Sequence, residues 1–118
     1  HLFGSAISDR FRLRIFIDQP QLLAIEQMTE GTWNLYLIAV HPDFQGKGIG
    51  SAIVSYIERM LPARGARILL VETSGLDSFE PTRAFYRQLG YEREAQIREF
   101  YAPGEDKIVF RKALVSVR

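Results

Sequence analysis

The chain contains no cysteine and only two histidines, His1 and His41, among its 118 residues. The absence of cysteine excludes disulfides, thiolate metal ligands and a cysteine nucleophile, and it suits a reducing cytoplasm. The two histidines lack the spacing of a metal-binding pair, so no metal site is expected. No apolar run approaches the length of a membrane span, and no secretory signal pattern opens the sequence. We therefore expect a cytoplasmic protein without a membrane partner.

The sequence also lacks a strong excess of charge of either sign. Its formal net charge is +1, with 25% charged and 47% hydrophobic residues, an ordinary balance for a globular domain. The length fits one domain over residues 1–118. Arginines gather at positions 10, 12 and 14, but a solvated strand face explains them better than a nucleic-acid patch. No nucleic-acid partner is expected, and salt-sensitive binding would indicate the contrary.

The first half of the chain predicts strands followed by a helix. Residues 11–17 alternate as in a half-buried strand, and residues 22–28 suit a strand or a helix before a hairpin turn at 29–32. Residues 33–40 are apolar on both faces, which is typical of a central strand. Isoleucines at four-residue spacing then predict an amphipathic helix from Gly48 to about Leu61.

The second half completes a β-α-β unit and closes the sheet. Pro62 and Gly65 should stop the helix, and residues 67–73 form a second buried strand parallel to the first, with a right-handed crossover. After a loop, Pro81 suits the first turn of a short helix with Phe85 and Leu89 on its buried side. Gly90 is expected to cap this helix, and strands over 91–101 and 107–114, joined by a turn at 102–106, follow it.

The run Gln45-Gly46-Lys47-Gly48-Ile49-Gly50 lies between the central strand and the amphipathic helix. A helix N-terminus presents free backbone N–H groups, and glycines allow a phosphate to approach the backbone closely. Lys47 adds a cation at the rim. The spacing of the glycines does not match a dinucleotide-binding fingerprint or a Walker loop. A phosphate-binding loop and a glycine-rich turn without a ligand both remain open on spacing alone.

Two motifs in this order resemble the GCN5-related N-acetyltransferase (GNAT) family. The first is Val40-His41-Pro42 followed by Gln45-x-x-Gly48-x-Gly50, and the second is the run Ala84-Phe85-Tyr86-Arg87-Gln88-Leu89-Gly90-Tyr91. The resemblance covers roughly residues 33–114. It implies a three-layer α/β/α fold with a mixed, mostly antiparallel sheet and a central, splayed pair of parallel strands.

The sequence departs from the family pattern in two places. Phe79 occupies a position where many relatives carry an asparagine near the coenzyme, and the loop over 74–80 is longer than usual. Only 32 residues precede Trp33, where the family has a strand and two helices. The N-terminal helices are therefore expected to be shortened or missing, and the exposed sheet edges suggest a homodimer.

The resemblance implies an N-acetyltransferase that moves an acetyl group from acetyl-CoA, as a cosubstrate, to a primary amine in a ternary complex without a metal. A non-catalytic acyl-CoA-binding or sensor domain of the same fold is the alternative. Tyr86 would protonate the departing thiolate, and the strand backbone near Ile38, Ala39 and Val40 would pair with the pantetheine arm. The coenzyme pyrophosphate would be held by Gln45, Gly46, Lys47, Gly48, Ile49, Gly50 and Ser51.

Several other side chains are candidates for removing a proton from the amine. Glu72, near the end of a buried strand, is the first candidate, and the others are Glu30, Glu99 and Asp106. Tyr36 is expected in the core rather than at the acceptor. His41 is expected in a surface turn. Arg83 and Arg87 are expected as surface charges, with contact to the coenzyme phosphates as the alternative.

Overall fold

The computed structural model describes residues 23–36 and 48–114 of the chain. These residues form a five-stranded sheet in the order β1-β2-β3-β5-β4, together with two α-helices. The predicted strand over 11–17, and with it the question of N-terminal helices, lies outside the described residues. The elements are β1 (Leu23–Ile25), β2 (Thr32–Leu35), α1 (Ile49–Met60), β3 (Ile68–Ser74), α2 (Glu80–Gln88), β4 (Glu92–Ala102) and β5 (Glu105–Ala113).

The centre of the sheet contains its one described parallel pair. β2 pairs with β3 in parallel, with Thr32 opposite Ile68 and Leu35 opposite Val71. The other described pairings, β1 with β2, β3 with β5 and β4 with β5, are antiparallel. This arrangement confirms the predicted α/β class, the mixed and mostly antiparallel sheet, and the parallel strands of the β-α-β unit. Of the predicted strand over 33–40, residues 37–40 lie outside the described residues.

The hairpin between β1 and β2 confirms the predicted turn and decides between strand and helix for the segment before it. Ile25 lies opposite Trp33, and the Glu26 N–H donates to the Thr32 carbonyl at 2.8 Å. Gly31 has a φ of +83°, and its carbonyl accepts hydrogen bonds from the N–H groups of Arg67 and Ile68. These bonds fix the hairpin against the start of β3.

Both helices pack on the same face of the sheet. Alternate residues of β3 and β5, such as Val71 and Phe110, lie on this face, and they share a buried core with Val54 and Ile57 of α1. The Tyr86 ring of α2 stacks on Phe110 at 6.4 Å between ring centroids. We call this the helical face. Residues of the opposite parity, including Asn34, Glu72 and Lys107, therefore point to the other face.

The first helix ends where it is predicted to end, close to Leu61. α1 ends at Met60, and Leu61–Arg64 forms a 3-10 turn that contains Pro62. Proline is compatible with this turn because it stands at one of the first positions, where its missing N–H removes no hydrogen bond. Gly65 then ends the segment with a φ of +86°, as predicted.

The predicted buried side of α2 is confirmed only in part. Arg83 and Tyr86 are buried, whereas Phe85 and Leu89 are only half-buried at the edge of the core. A pattern based on apolar residues misses Arg83, which is also not the expected surface charge. Its buried guanidinium donates to the carbonyls of Ser74 and Leu76 and pairs with Glu80 at 3.1 Å. These bonds compensate the loss of water around the cation.

The last two strands form a long hairpin at one edge of the sheet. β4 and β5 run closer to the turn than predicted, so that only Pro103 and Gly104 lie between them. All residues of β4 are exposed, and its pairing with β5 is interrupted between Ile97 and Ala102. Within residues 23–36 and 48–114, the helices are too short or too polar to cross a bilayer.

Arg83→Met should destabilise the domain, because it leaves two carbonyls without their charged donor in a buried position. We expect a loss of about 2–4 kcal/mol in the free energy of unfolding, measured by chemical denaturation. Arg87→Met is the matched control on the same helix, since Arg87 is half exposed and pairs with the exposed Glu80. Its midpoint should stay close to that of the wild type, and equal losses in the two variants would contradict the assigned role of Arg83.

Candidate functional site

A cleft of about 290 Å³ opens beside the C-terminal half of β3. Its volume lies near the lower limit of small-molecule sites. The lining residues come from the end of β2, from β3, from α2 and the segment before it, and from the β4–β5 hairpin. They are Tyr36, Val71, Glu72, Thr73, Ser74, Phe79, Thr82, Tyr86, Tyr101 and Glu105.

The cleft lies beside the part of β3 that continues beyond its described pairing with β2. The described pairing of β2 with β3 ends at Leu35 and Val71, while β3 continues to Ser74. Successive residues of a strand point to opposite faces. Because Thr73 and Glu72 both line the cleft, the cleft passes along the side of β3 and reaches both faces of the sheet.

Tyr86 lies on the helical-face side of the cleft. Its side chain is 4% exposed and packs edge-on against Phe85 and Tyr91. Tyr86 is thus part of the core and at the same time lines the cleft. Burial raises the pKa of its hydroxyl above the ordinary value, so the group stays protonated at neutral pH. A buried, protonated phenol can donate a hydrogen bond or a proton into the cleft.

Glu72 lies on the other face and is held by two neighbours. One carboxylate oxygen accepts a hydrogen bond from the Asn34 amide at 2.8 Å, and the other pairs with Lys107 Nζ at 3.3 Å. The side chains of Glu72 and Lys107 are 16% and 12% exposed. These contacts fix the carboxylate in one orientation. Glu72 is thus a fixed negative charge at the cleft.

The Asn34 amide connects Glu72 to a second carboxylate. Asn34 Nδ2 also donates to Glu26 Oε2 at 2.9 Å, and the Tyr36 hydroxyl donates to the same oxygen at 3.1 Å. Asn34 is 2% exposed, and its own oxygen has no hydrogen-bond partner among the described residues. The two carboxylates therefore determine the orientation of the amide. We refer to Glu26, Asn34, Tyr36, Glu72 and Lys107 as the polar network.

Tyr36 is not the core residue that its place on an apolar strand suggests. It is 37% exposed and lines the cleft. Its pKa is raised, first by partial burial and then by the hydrogen bond to Glu26 and the negative charges of Glu26 and Glu72. The phenol therefore remains protonated while it donates to a carboxylate.

A second pair of polar side chains lies at the hairpin end of the cleft. Ser74 donates its hydroxyl hydrogen to Glu105 at 2.8 Å, and Tyr101 lies nearby. Burial raises the pKa of the Tyr101 hydroxyl, and the charges of Glu72 and Glu105 add to this shift. Phe79 provides apolar lining at the position where an asparagine would match the family pattern. Two carboxylates and no cation are thus among the described lining residues.

The start of α1 has the features expected of an anion-binding helix N-terminus. Gly48 is the N-cap, with a φ of +78°, and neither a side-chain cap nor an acidic residue is present in the first turn. Ala52 N–H donates to the Gly48 carbonyl, so the free N–H groups are those of the preceding residues of the turn. Gly50 and Ser51 are partly exposed there. The other predicted coenzyme-binding residues, Ile38, Ala39, Val40, Gln45, Gly46 and Lys47, lie outside the described residues, as do His41 and the side chain of Ile49.

The other three base candidates do not line the cleft. Glu30 lies in the hairpin turn near the start of β3, where its carbonyl accepts a hydrogen bond from Arg67, whereas the cleft lies at the end of that strand. Glu99 and Asp106 stabilise the β4–β5 hairpin through bonds with its backbone. The bond from the Glu99 N–H is the main reason why the pKa of Asp106 lies below its usual value. The carboxylates of Glu99 and Asp106 therefore stabilise the hairpin.

Sequence reasoning missed Glu26, Ser74, Tyr101 and Glu105. Glu26 could have been found only with the register of the β1–β2 hairpin, because that register places it on the same face as Asn34 and Tyr36. A six-residue connection does not determine the register by itself. Among residues 23–36 and 48–114, no three histidine, cysteine, aspartate or glutamate side chains are grouped so that they could hold a metal ion.

Known proteins with similar sequences are acetyltransferases. A ribosomal protein bS18 alanine N-acetyltransferase from Escherichia coli K12 is 35% identical over 83 residues, which are 70% of this chain and 54% of that enzyme. The chain thus spans about half the length of the curated relatives it matches.

Solved structures agree with this similarity. A protein from Desulfovibrio desulfuricans assigned to the GNAT family superposes with a TM-score of 0.76 at 39% identity, over 79% of this chain and 58% of that one. An aminoglycoside 6'-N-acetyltransferase complexed with coenzyme A has the same fold, with a TM-score of 0.67 at 16% identity, over 98% of this chain and 83% of that one. The sequence model of the acetyltransferase (GNAT) domain matches residues 15–93. The chain therefore belongs to the GNAT acetyltransferase family.

Proposed function

We propose that the protein transfers an acetyl group from acetyl-CoA to a primary amine by direct attack in a ternary complex. The observation that carries this proposal is the cleft beside β3. It brings together Tyr86 and Glu72, which come from different elements and lie on opposite faces of the sheet. The protein belongs to an acetyltransferase family. In such a protein, the proton donor on one side of the cleft suits the thioester, whose thiolate must be protonated. The carboxylate on the other side suits the amine, which carries a positive charge before it reacts.

The coenzyme would enter from the N-terminus of α1. The proposed pyrophosphate contacts are the loop from Gln45 to Gly50 and Ser51, where free N–H groups and the helix dipole favour an anion. The pantetheine arm would run beside Ile38, Ala39 and Val40. The cleft at the end of β3 would then receive the thioester. A structural neighbour complexed with coenzyme A supports the use of this fold for such a ligand.

The reaction would depend mainly on positioning the two substrates. Holding an amine next to a thioester can account for about 7–11 kcal/mol of the barrier. Glu72 would attract the ammonium form of the acceptor, and it is the carboxylate that the sequence alone makes the first candidate for the base. A backbone N–H would polarise the thioester carbonyl, and Tyr86 would donate a proton to the departing thiolate. No metal is needed for these steps.

The proposal is tested by a screen of amines with acetyl-CoA and detection of the free thiol. Amine-dependent thiol release, with the acetylated amine identified by mass spectrometry, would support the enzyme. Binding of acetyl-CoA by calorimetry without turnover of any amine would instead favour a non-catalytic acyl-CoA-binding domain. The amine classes to include are small amines, amino acids, aminoglycosides and peptide N-termini, because relatives act on a ribosomal protein alanine and on aminoglycosides.

The same proposal includes a homodimer in the cytoplasm. Among the described strands, β4 lies at the edge of the sheet, and its eleven exposed residues include Ile97 and Phe100, which are about half exposed. Such an edge offers unpaired backbone groups to another chain. The absence of cysteine from the sequence is compatible with a reducing compartment.

Gly48→Asp should weaken the binding of coenzyme A, because it places a negative charge at the N-terminus of α1. Gly48→Asn is the matched control, since asparagine has nearly the same shape, no charge, and also tolerates positive φ. No described atom lies within 4 Å of a Cβ built at Gly48, so both side chains fit. Calorimetry should show at least about tenfold weaker binding for the aspartate variant than for the asparagine variant.

The same substitution at Gly65 separates the effect of backbone strain on stability from the effect of charge on coenzyme binding. Gly65 has a φ of +86° and open space around its Cβ position, and it lies at the opposite end of the helical segment. Gly65→Asp should therefore lower the melting temperature without changing coenzyme affinity. Equal affinities of the Gly48→Asp and Gly48→Asn variants would show that the pyrophosphate binds elsewhere.

Tyr86→Phe should lower turnover by on the order of 10²–10⁴ if protonation of the thiolate limits the rate. The substitution keeps the ring that stacks on Phe110, and the hydroxyl makes no hydrogen bond with a described residue. Stability and coenzyme affinity should therefore change little. Steady-state kinetics and a thermal melt measure the two effects. Wild-type turnover in a well-folded variant would show that Tyr86 only packs, and that water protonates the thiolate.

A further inference from the structure

The polar network contains a path for a proton that leads away from the cleft. The path begins at Tyr36, which lines the cleft and is 37% exposed, and its hydroxyl donates to Glu26 Oε2 at 3.1 Å. Glu26 lies just after β1, at the hairpin, and is only partly buried. A proton received by Glu26 can therefore leave to water without passing back through the cleft.

Glu72 is less suited to accept that proton. Both of its oxygens are engaged, one by the Asn34 amide and the other by Lys107. Protonation of this carboxylate would replace an ion pair with a weaker contact and leave a mostly buried lysine without its counter-charge. Glu26 has no such partner: its described contacts are the neutral groups of Asn34 and Tyr36, both at the same oxygen.

We propose that Tyr36 and Glu26 form the relay that removes the proton from the acceptor amine, while Glu72 holds the ammonium electrostatically. This inference rests on the proposed acetyl transfer and assigns the proton path within it. Tyr36 is the catalytic residue of the relay, because it lies at the cleft. Glu26 acts through Tyr36, and the buried Asn34 amide holds the carboxylates of Glu26 and Glu72 on one side of the sheet.

The relay carries two protons away from the nitrogen, and Tyr86 supplies one to the leaving thiolate. The ammonium gives one proton to the Tyr36 oxygen as the Tyr36 hydroxyl proton moves to Glu26, which releases it to water. The neutral nitrogen attacks the thioester carbon. When the adduct collapses, the C–S bond breaks, the nitrogen loses a second proton by the same relay, and the thiolate takes one from Tyr86, which is reprotonated from water. The products are the amide, the free coenzyme thiol and one net proton.

The phenol does not need to ionise in this scheme, because it accepts one proton as it gives up another. This agrees with its environment, in which partial burial and two nearby carboxylates keep the pKa of Tyr36 above its ordinary value. The scheme also explains why a tyrosine is exposed at the end of an apolar strand. Its ring extends from the end of β2 past Asn34 towards the hairpin, so that the hydroxyl meets Glu26.

The test compares Glu26→Gln with Glu72→Gln in the full chain, using acetyl-CoA and an amine that the wild type acetylates. Glutamine keeps an oxygen that accepts hydrogen bonds from Asn34 and Tyr36, so Glu26→Gln should fold. We expect kcat to fall by on the order of 10² in Glu26→Gln, with little change in the KM of either substrate. Glu72→Gln should instead raise the KM of the amine.

Two further measurements identify the relay. Tyr36→Phe should lower kcat as much as Glu26→Gln, and the double variant should be no slower than either, because both changes interrupt one path. Added formate should restore part of the kcat of Glu26→Ala, which a purely structural role of Glu26 would not allow. Thermal melts verify that each variant is folded.

The possible failures are distinguishable. No turnover by the wild type with any amine would overturn both the acetyltransferase proposal and the relay. Turnover by the wild type together with an unchanged kcat in Glu26→Gln, or additive losses in the double variant, would overturn the relay alone. A kcat loss confined to Glu72→Gln would identify Glu72 as the base.

Discussion

The buried guanidinium of Arg83 is the contact on which the geometry of the cleft depends. It joins α2 to the carbonyls of Ser74 and Leu76, at the point where the chain leaves β3. The same helix carries Tyr86, and the segment that it holds carries Phe79, so the positions of these two lining residues depend on one side chain. A cation satisfied by backbone carbonyls is suited to this role, because the carbonyls at the end of a strand have no partner in the sheet.

The two faces of the sheet provide different environments for the two proposed substrates. On the helical face, Tyr86, Phe110 and Val71 form a dry environment in which a thiolate would be strongly destabilised without a proton donor. On the opposite face, the polar network keeps two carboxylates close together through one shared amide. The gap beside β3 is the place where these environments meet. An amine that approaches from the face of the polar network would meet carboxylates as it loses its positive charge. A thioester that approaches from the helical face would meet Tyr86 as negative charge develops on its sulfur.

The sequence was sufficient to predict the order of the elements after Thr29, the parallel pair and the second helix. These depend on local patterns, namely the period of apolar residues and the positions of Pro81 and Gly90, which the structure confirms. The buried side of α2 could not be predicted in this way, because Arg83 is charged and its burial depends on carbonyls that only the tertiary structure brings near it. Tyr36 was assigned to the core for a similar reason, since nothing local shows that its hydroxyl meets Glu26 across the hairpin.

The sequence was sufficient to predict those parts of the candidate site that depend on single residues. Tyr86 and Glu72 stand out by motif and by position, and both line the cleft. The polar network could not be predicted, because it depends on contacts between residues 8 to 38 positions apart in the chain. Such contacts require the register of every strand between β1 and β5.

The close contact at Gly31 limits how this domain can change. A Cβ at that position would lie 2.4 Å from the Gly65 carbonyl oxygen, so a substitution must move the hairpin away from the start of β3. The hairpin carries Glu26 at one end and leads through β2 to Tyr36. A saturation library should therefore accept almost no other residue at this turn, although Gly31 itself touches none of the groups proposed to act on a substrate. The positions that tolerate few substitutions would then be those that align the strands, whatever their distance from the cleft.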